Sequence, residues 1–203
     1  MKNVKIMKPC CIAVLVCGFV YGLALPFFWG NDPMSELGTL SLLCEDRKIW
    51  FWLWGILMSG GIGINAQYMY KKFGCKSKLL DALCVLSFIG VCCIALTLGH
   101  SIADWNPKRI LHWVATGVFI ALTFASIAFF FIMNRKKKGF GILIGCICFI
   151  LFTFVFIFVF IGKSALMEMV PLALLQILLF VVNFTNVVPV TQDESTKDTI
   201  YNG

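Results

Sequence analysis

The sequence predicts an all-α, polytopic membrane protein with six transmembrane helices in three in-out-in hairpins. Of its 203 residues, 60% are hydrophobic and only 13% are charged, a composition that water-soluble domains of this size do not have. Six apolar stretches, separated by short polar connectors, take up nearly the whole chain. We therefore expect one six-helix transmembrane domain over 1–190 and a flexible, polar cytoplasmic tail over 191–203.

Each apolar stretch has about 20 residues, the length that a helix rising about 1.5 Å per residue needs to cross a hydrocarbon core of about 30 Å. The predicted spans cover residues 10–28, 49–70, 79–98, 110–133, 139–161 and 169–188. In the fifth, phenylalanines alternate from Phe152 to Phe160 as they would in a strand. A β-barrel needs many such segments, so a helix with a phenylalanine-rich, lipid-facing surface is the simpler prediction.

The first span follows three lysines, as a signal peptide would, with Gly22-x-Ala24 as a candidate cleavage site. Its apolar run is longer than most signal-peptide cores, and Gly18-x-x-x-Gly22 is typical of a helix-packing face. We expect the span to be retained as an anchor. The spacing of Gly141 and Gly145 predicts a similar close approach in the fifth span.

Several polar residues inside the spans have structural interpretations. Asp81 lies at the start of the third span, where a carboxylate complements the helix dipole. Asn65 and Gln67 lie near the inner end of the second span, and Asn183 lies in the sixth. We expect Asn65 and Gln67 to support the structure, and Asn183, with Asn186, to form hydrogen bonds between helices.

Lysine and arginine counts predict the orientation of the chain. The N-terminal segment, the 71–78 and 134–138 connectors and the tail hold twelve, whereas the three opposite connectors hold five. The richer side, with both termini, is expected in the cytoplasm. The twelve are Lys2, Lys5, Lys8, Lys71, Lys72, Lys76, Lys78, Arg135, Lys136, Lys137, Lys138 and Lys197, and the five are Arg47, Lys48, Lys108, Arg109 and Lys163.

The charge and cysteine patterns indicate the partners and the redox state. The net charge is +7, and the basic residues cluster beside the ends of the spans, which predicts membrane lipid as the partner and excludes nucleic acid. Eight of the ten cysteines lie inside apolar stretches, and Cys44 and Cys75 fall in connectors on opposite sides. We therefore predict no disulfide framework.

Ionisable residues near the membrane gather on the predicted outer side, and charged groups at membrane depth mark functional candidates. They come from three connectors and from the beginning of the fourth span. They are Asp32, Glu36, Glu45, Asp46, His100, Asp104, His112, Lys163 and Glu168.

His100 and Asp104 are four residues apart, so they share a face if the third helix continues that far, and a helical hairpin would bring His112 opposite them. Two imidazoles and a carboxylate suffice for catalytic zinc, which keeps one position for water. The pattern lacks the specificity of a His-Glu-x-x-His motif. In the alternative interpretation, His112 and Trp113 anchor the helix at the headgroup level. Zinc is the only cofactor that the sequence suggests.

Residues 31–33 predict a turn after the first span, and Ser35 can cap a short interfacial helix. In the functional alternative, Glu36 folds back over the mouth of the bundle and meets His100 or His112. A carboxylate in a half-dry place can act as a general base or a metal ligand. The candidate catalytic residues are therefore Glu36, His100, Asp104 and His112.

The motif Ser35-Glu36-Leu37-Gly38 precedes a polar connector that contains Pro107, after which His112 enters the next helix. This arrangement resembles an uncharacterised six-span prokaryotic membrane family catalogued as a domain of unknown function. The resemblance implies the six-helix fold and outward-facing polar residues, and it supplies no activity.

A more distant similarity is to the membrane hydrolase superfamily of alkaline ceramidases and adiponectin-type receptors, which combine serine, aspartate and three histidines around zinc. This chain has two histidines. Glu36, Asp104 or Glu168 would have to replace the missing ligand.

Three classes of function remain open. In the first, the protein is non-catalytic and its outer His/Asp/Glu cluster binds a small ligand. The second is a metal-dependent hydrolase that acts on lipid, and the third is a proton-coupled transporter, which needs polar groups throughout the bundle interior. We favour the first because the set of chemically active residues is small, and the sequence does not decide whether the protein is an enzyme.

Overall fold

The computed structural model describes residues 2–28, 32, 34, 39–44, 46–98 and 107–189, and these residues form helices and turns without a strand. Six helices in this part of the chain are long and apolar enough to cross a membrane. The predicted all-α, six-span fold class is therefore confirmed. The candidates Glu36, His100 and Asp104 and the tail over 191–203 lie outside the described residues.

The second span is built from two α-helices joined by a π-helical turn over Ile56–Gly60, and the first span ends in a 3-10 turn over Leu25–Phe27. A short helix, α2, lies between these two spans. The helices are α1 Lys2–Ala24, α2 Leu40–Leu43, α3 Lys48–Gly55, α4 Gly61–Lys72, α5 Lys78–Leu96, α6 Pro107–Met133, α7 Phe140–Phe160 and α8 Ala165–Phe184.

The sixth span begins earlier than the sequence predicts, at Ala165, because Ser164 caps it. The Ser164 hydroxyl accepts a hydrogen bond from the Met167 amide at 3.4 Å. The predicted placement of Glu168 in a connector is therefore wrong. Glu168 lies in the first turn of α8, where its carboxylate complements the positive end of the helix dipole.

One face of the first span packs against the second span and α8. A Cβ atom added at Gly18 would lie 2.7 Å from the Leu57 carbonyl oxygen, and one at Gly22 would lie 2.8 Å from the Met58 sulfur. Both distances are shorter than a methyl group tolerates, so the prediction of a packing face at Gly18 and Gly22 is confirmed.

The prediction of a close approach at Gly141 and Gly145 is wrong, because a Cβ at either position would meet no atom within 4 Å. These glycines lie on α7, which has the smallest buried share of the six spans. Phe152, Phe156 and Phe160 are 65%, 47% and 72% exposed on this helix. The helical interpretation of the alternating phenylalanines is therefore correct, and these three lie on the outer surface of the bundle.

Buried amides connect three spans, as the sequence predicts. The Asn65 side chain donates to the carbonyls of Cys11 on α1 and Gly61 on its own helix, at 3.1 and 2.9 Å. The Asn183 side chain on α8 donates to the Asn65 carbonyl at 2.9 Å. Such bonds satisfy polar groups that have no access to water inside the bilayer.

The two ends of the bundle differ in chemistry. At one end, the Lys72 ammonium donates to the carbonyls of Val182 and Asn183 in the last turn of α8, at 2.7 and 2.9 Å, and Phe73 packs on Phe140 at the beginning of α7. We call this the basic end because it carries the 71–78 and 134–138 connectors. The opposite end, which we call the His112 end, holds α2 and the first turns of α6 and α8.

Candidate functional site

A cavity of about 50 Å³ lies at the His112 end, between the second span and α5, α6 and α8. Its polar groups come from Ser41 on α2, from His112 and Thr116 on α6, and from Glu168 on α8, while aromatic and aliphatic side chains form the rest of its wall. The cavity thus combines a polar end with an apolar body, as small-molecule sites do.

The Glu168 carboxylate joins α2 to the bundle. Its Oε2 accepts a hydrogen bond from the Leu40 backbone amide at 2.8 Å. That amide belongs to the first residue of α2, so it has no acceptor within its own helix. The preceding residue, Thr39, does not supply a side-chain cap. Glu168 therefore takes the place of the N-terminal cap of α2 and holds this short helix over the cavity.

The His112 ring is 4% exposed and faces the interior. Its Nδ1 lies 3.1 Å from the Thr97 hydroxyl oxygen, at the end of α5. The Thr97 hydroxyl donates its proton to the Cys93 and Ile94 carbonyls, at 2.8 and 2.9 Å, so it accepts from the imidazole. This network assigns the ring proton to Nδ1 and leaves Nε2 as an acceptor in the neutral form.

The alternative in which His112 anchors the helix at the headgroup level is wrong, because this side chain is buried at the cavity. The neighbouring Trp113 is half-buried, and the Lys163 ammonium lies 4.7 Å from the centre of its ring. A cation over an aromatic face is a favourable contact. Successive residues of α6 thus have different contacts: His112 bonds to Thr97, and Trp113 contacts Lys163.

Two residues that line the cavity each carry a buried polar atom with no hydrogen-bond partner within the described part of the chain. These atoms are the Ser41 hydroxyl oxygen and the Trp54 indole nitrogen. Ser41 is 2% exposed and Trp54 is 4% exposed, so the protein itself shields both atoms from bulk water. Unsatisfied buried polar groups cost about 1–3 kcal/mol each, and a bound molecule that pairs with them recovers this energy.

Two half-buried residues, Ile120 on α6 and Phe154 on α7, also line the cavity, so it lies close to the outer surface of the bundle between these helices. The volume is about a third of the roughly 150 Å³ that holds a benzene molecule. It therefore accommodates a small head group, and any longer apolar part of a ligand extends between α6 and α7.

The structure brings together only part of the predicted site. His112 and Glu168 line the same cavity, whereas Glu36, His100 and Asp104 lie outside the described residues. Helix α5 ends at Leu96, so the helical spacing no longer supports a shared face for His100 and Asp104. Among the described residues, no three His, Cys, Asp or Glu side chains lie close enough to hold a metal ion. The zinc set of His100, Asp104 and His112 stays a prediction.

Sequence reasoning missed Ser41, Trp54 and Thr97 as residues of the site. Each has an ordinary local explanation, as a connector residue, an interfacial aromatic or a helix end. Their shared position depends on α2, α3 and α5 meeting at one point, and no sequence spacing reports such a meeting.

No family model, no curated protein and no solved structure matches this chain. The resemblances drawn from Ser35–Gly38 and from the histidines therefore stay predictions.

Proposed function

We propose that this multi-pass membrane protein is a non-catalytic binding protein for a small amphipathic molecule at the His112 end. The observation that carries the proposal is the cavity lined by Ser41, Trp54 and Glu168, of which the first two have a polar side-chain atom without a described partner. A polar end, an apolar wall and half-buried lining residues on α6 and α7 together fit a molecule that arrives from the bilayer.

The chemistry of the three groups favours a hydroxyl head. A hydroxyl donates one hydrogen bond, which a carboxylate such as Glu168 accepts, and it accepts others, which the Trp54 N–H can donate. An ammonium head donates hydrogen bonds to the Glu168 carboxylate, but it has no lone pair to accept one from the Trp54 N–H. A carboxylate head places like charge against Glu168 and is the least favourable of the three.

Three probes with the same six-carbon chain test the proposal: hexanol, hexylamine and hexanoate. The full chain is purified in detergent and its melting temperature is followed with each probe. At ten times its Kd, a ligand stabilises the folded state by about 1.4 kcal/mol, which is about 3 °C for a chain of this size. We expect a rise of this order with hexanol, a smaller one with hexylamine and none with hexanoate.

Matched variants locate the site. Trp54→Phe keeps the ring and removes the N–H, and Glu168→Gln keeps an acceptor for Leu40; both are expected to abolish the hexanol response. The controls are Trp113→Phe, which removes another buried indole N–H without a described partner, and Asp81→Asn at the basic end. A hexanol response that survives in Trp54→Phe and Glu168→Gln would contradict the proposal.

The metal-dependent hydrolase makes a different prediction for the same preparations. If the natural chain holds about one zinc ion and both His100→Ala and His112→Ala lose it, metal-assisted hydrolysis would become the proposed function in place of ligand binding. We expect zinc at background level, because structural and catalytic zinc sites use at least three protein ligands and the described cavity contributes His112 and Glu168.

We also propose that the basic end faces the cytoplasm and contacts membrane lipid there. The support is the count of twelve Lys and Arg residues on this side against five on the other. Basic residues are enriched in cytoplasmic loops, and they attract anionic lipids of the inner leaflet.

A further inference from the structure

A second, larger concave site lies at the other end of the molecule, where the second span and α5 separate. This groove has a volume of about 880 Å³ and runs from the middle of the spans to the basic end. Along the second span, Gly60, Gly63, Gln67 and Lys71 line it, at spacings of three and four that place them on one helix face. From α5, Asp81, Val85 and Phe88 line it with the same spacing.

Glycine makes the groove deep. A Cβ added at Gly60 or Gly63 would meet no atom within 4 Å, so both residues leave open space between the helices. The opposite wall is apolar and exposed: Val85 is 60% exposed and Phe88 is 40% exposed. An open apolar channel at this depth of a membrane protein borders on acyl chains.

The groove ends in two opposite charges. The Gln67 side-chain nitrogen donates to Asp81 Oδ1 at 2.7 Å, which holds the carboxylate at the groove and leaves its second oxygen able to accept. Lys71 lies one helical turn beyond Gln67, and it also lines the groove. A cation and a carboxylate thus stand together at the point where the apolar channel reaches the basic end.

We propose that this groove binds a glycerophospholipid whose head group carries both a phosphate and a primary ammonium. The phosphate pairs with Lys71, the ammonium donates to Asp81, and one acyl chain lies over Gly60 and Gly63. The assignment rests on charge complementarity. A phosphatidylglycerol head offers Asp81 only neutral hydroxyl donors and no positive charge, and a choline head has no N–H for the carboxylate.

The proposal is tested by titrating the delipidated full chain in detergent with dioleoyl phosphatidylethanolamine, phosphatidylcholine and phosphatidylglycerol, with bound lipid counted by native mass spectrometry. We expect the ethanolamine lipid to bind at least about tenfold more tightly than the other two. Asp81→Asn keeps an acceptor for Gln67 and removes the charge, so it is expected to reduce this preference to less than about twofold. Lys71→Gln is expected to weaken the binding of all three phospholipids.

Variants that fill the groove distinguish a lipid bound inside it from a lipid that is attracted only to the surface of the basic end. Gly63→Leu and Val85→Trp each occupy the open space from a different helix, and either one is expected to weaken the ethanolamine lipid about tenfold. Melting temperatures identify any variant that does not fold. If one of these two variants does not fold, the lipid affinity of the other tests the proposal. Glu168→Gln is the control, because it alters the cavity at the His112 end and is expected to bind phospholipid like the natural chain.

Two results would overturn the proposal. One is equal or tighter binding of phosphatidylglycerol by the natural chain, which indicates general attraction to the basic end. The other is an unchanged preference for the ethanolamine lipid in Asp81→Asn. Neither result bears on the His112 cavity, which has its own probes and variants.

Discussion

At the scale of single residues, Glu168 has two structural roles. It complements the dipole of its own helix and accepts the Leu40 amide, so α2 is held by one carboxylate from a distant part of the chain. The sequence indicates only that an acidic residue lies near a membrane boundary. The partner of that residue becomes evident when α2 and α8 are placed side by side.

The reactivity of the Cys44 thiol, at the end of α2, can be used to test whether Glu168 holds α2 against the bundle. Burial, together with the nearby Glu168 carboxylate, raises its pKa to about 12, against about 8.5 for an ordinary cysteine. Because the thiolate is the reactive form, we expect iodoacetamide to modify Cys44 much more slowly than an ordinary thiol from pH 7 to pH 9, with a rate that still rises about tenfold per pH unit at pH 9. The rate of an accessible thiol rises in the same way only up to its pKa of about 8.5 and then levels off.

Glu168→Ala removes the acceptor for Leu40, so we expect α2 to detach and Cys44 to react with the pH dependence of an ordinary thiol. Glu168→Gln keeps an acceptor and is the control. Peptide mass spectrometry gives the rate for Cys44, with the half-buried Cys75 as the internal reference. Unchanged Cys44 labelling in Glu168→Ala would show that α2 is held by other contacts.

At the scale of helices, identical small-residue spacings have different consequences. Gly18 and Gly22 lie under the π turn of the second span, whereas Gly141 and Gly145 face open space on α7. A four-residue spacing shows that two glycines share one face of a helix, but it does not show whether another helix packs on that face. A π turn in contact with α1 is a further local irregularity, of the kind that is often found at functional sites.

This difference predicts opposite outcomes for two alanine substitutions. Gly18→Ala forces a methyl group to within 2.7 Å of the Leu57 carbonyl oxygen, and overpacking of this kind costs about 1–3 kcal/mol. Gly141→Ala meets no atom and improves helix propensity, so a neutral or slightly stabilising effect of at most about 1 kcal/mol is expected. Thermal unfolding in detergent measures both, and equal destabilisation would contradict the packing described for α1.

At the scale of the whole molecule, the two ends have separate chemistry. The His112 end encloses a small cavity with a polar head region, and the basic end opens a groove between helices. Buried amides of Asn65 and Asn183 connect the second span to α8. The two proposed sites lie towards opposite ends of the bundle and can be altered independently.

Orientation is the prediction that belongs to this scale. If the basic end is cytoplasmic, green fluorescent protein fused after Gly203 fluoresces in cells, and alkaline phosphatase fused at the same position stays inactive. The reciprocal fusions at Lys163 in the α7–α8 connector are expected to show active phosphatase and no fluorescence. The reverse pattern would place the His112 cavity on the cytoplasmic side and overturn the proposed orientation.

The sequence by itself determined the fold class and approximate span positions, because a helix must satisfy its own backbone in the bilayer and must be about 20 residues long to cross it. It also indicated that Asn183 bonds to another helix. Helix ends were less predictable: the cap at Ser164 moved Glu168 into α8, and α5 ends at Leu96, before the residues that its continuation was expected to carry.

The tertiary structure alone decided which residues meet. Ser41, Trp54, His112 and Glu168 come from four separate helices, and their contacts depend on how those helices pack. The same holds for Lys71 and Asp81, which sequence reasoning assigned to orientation and to a helix dipole. Hydropathy reports the length of each span, whereas side-chain packing between helices sets its neighbours and therefore the sites.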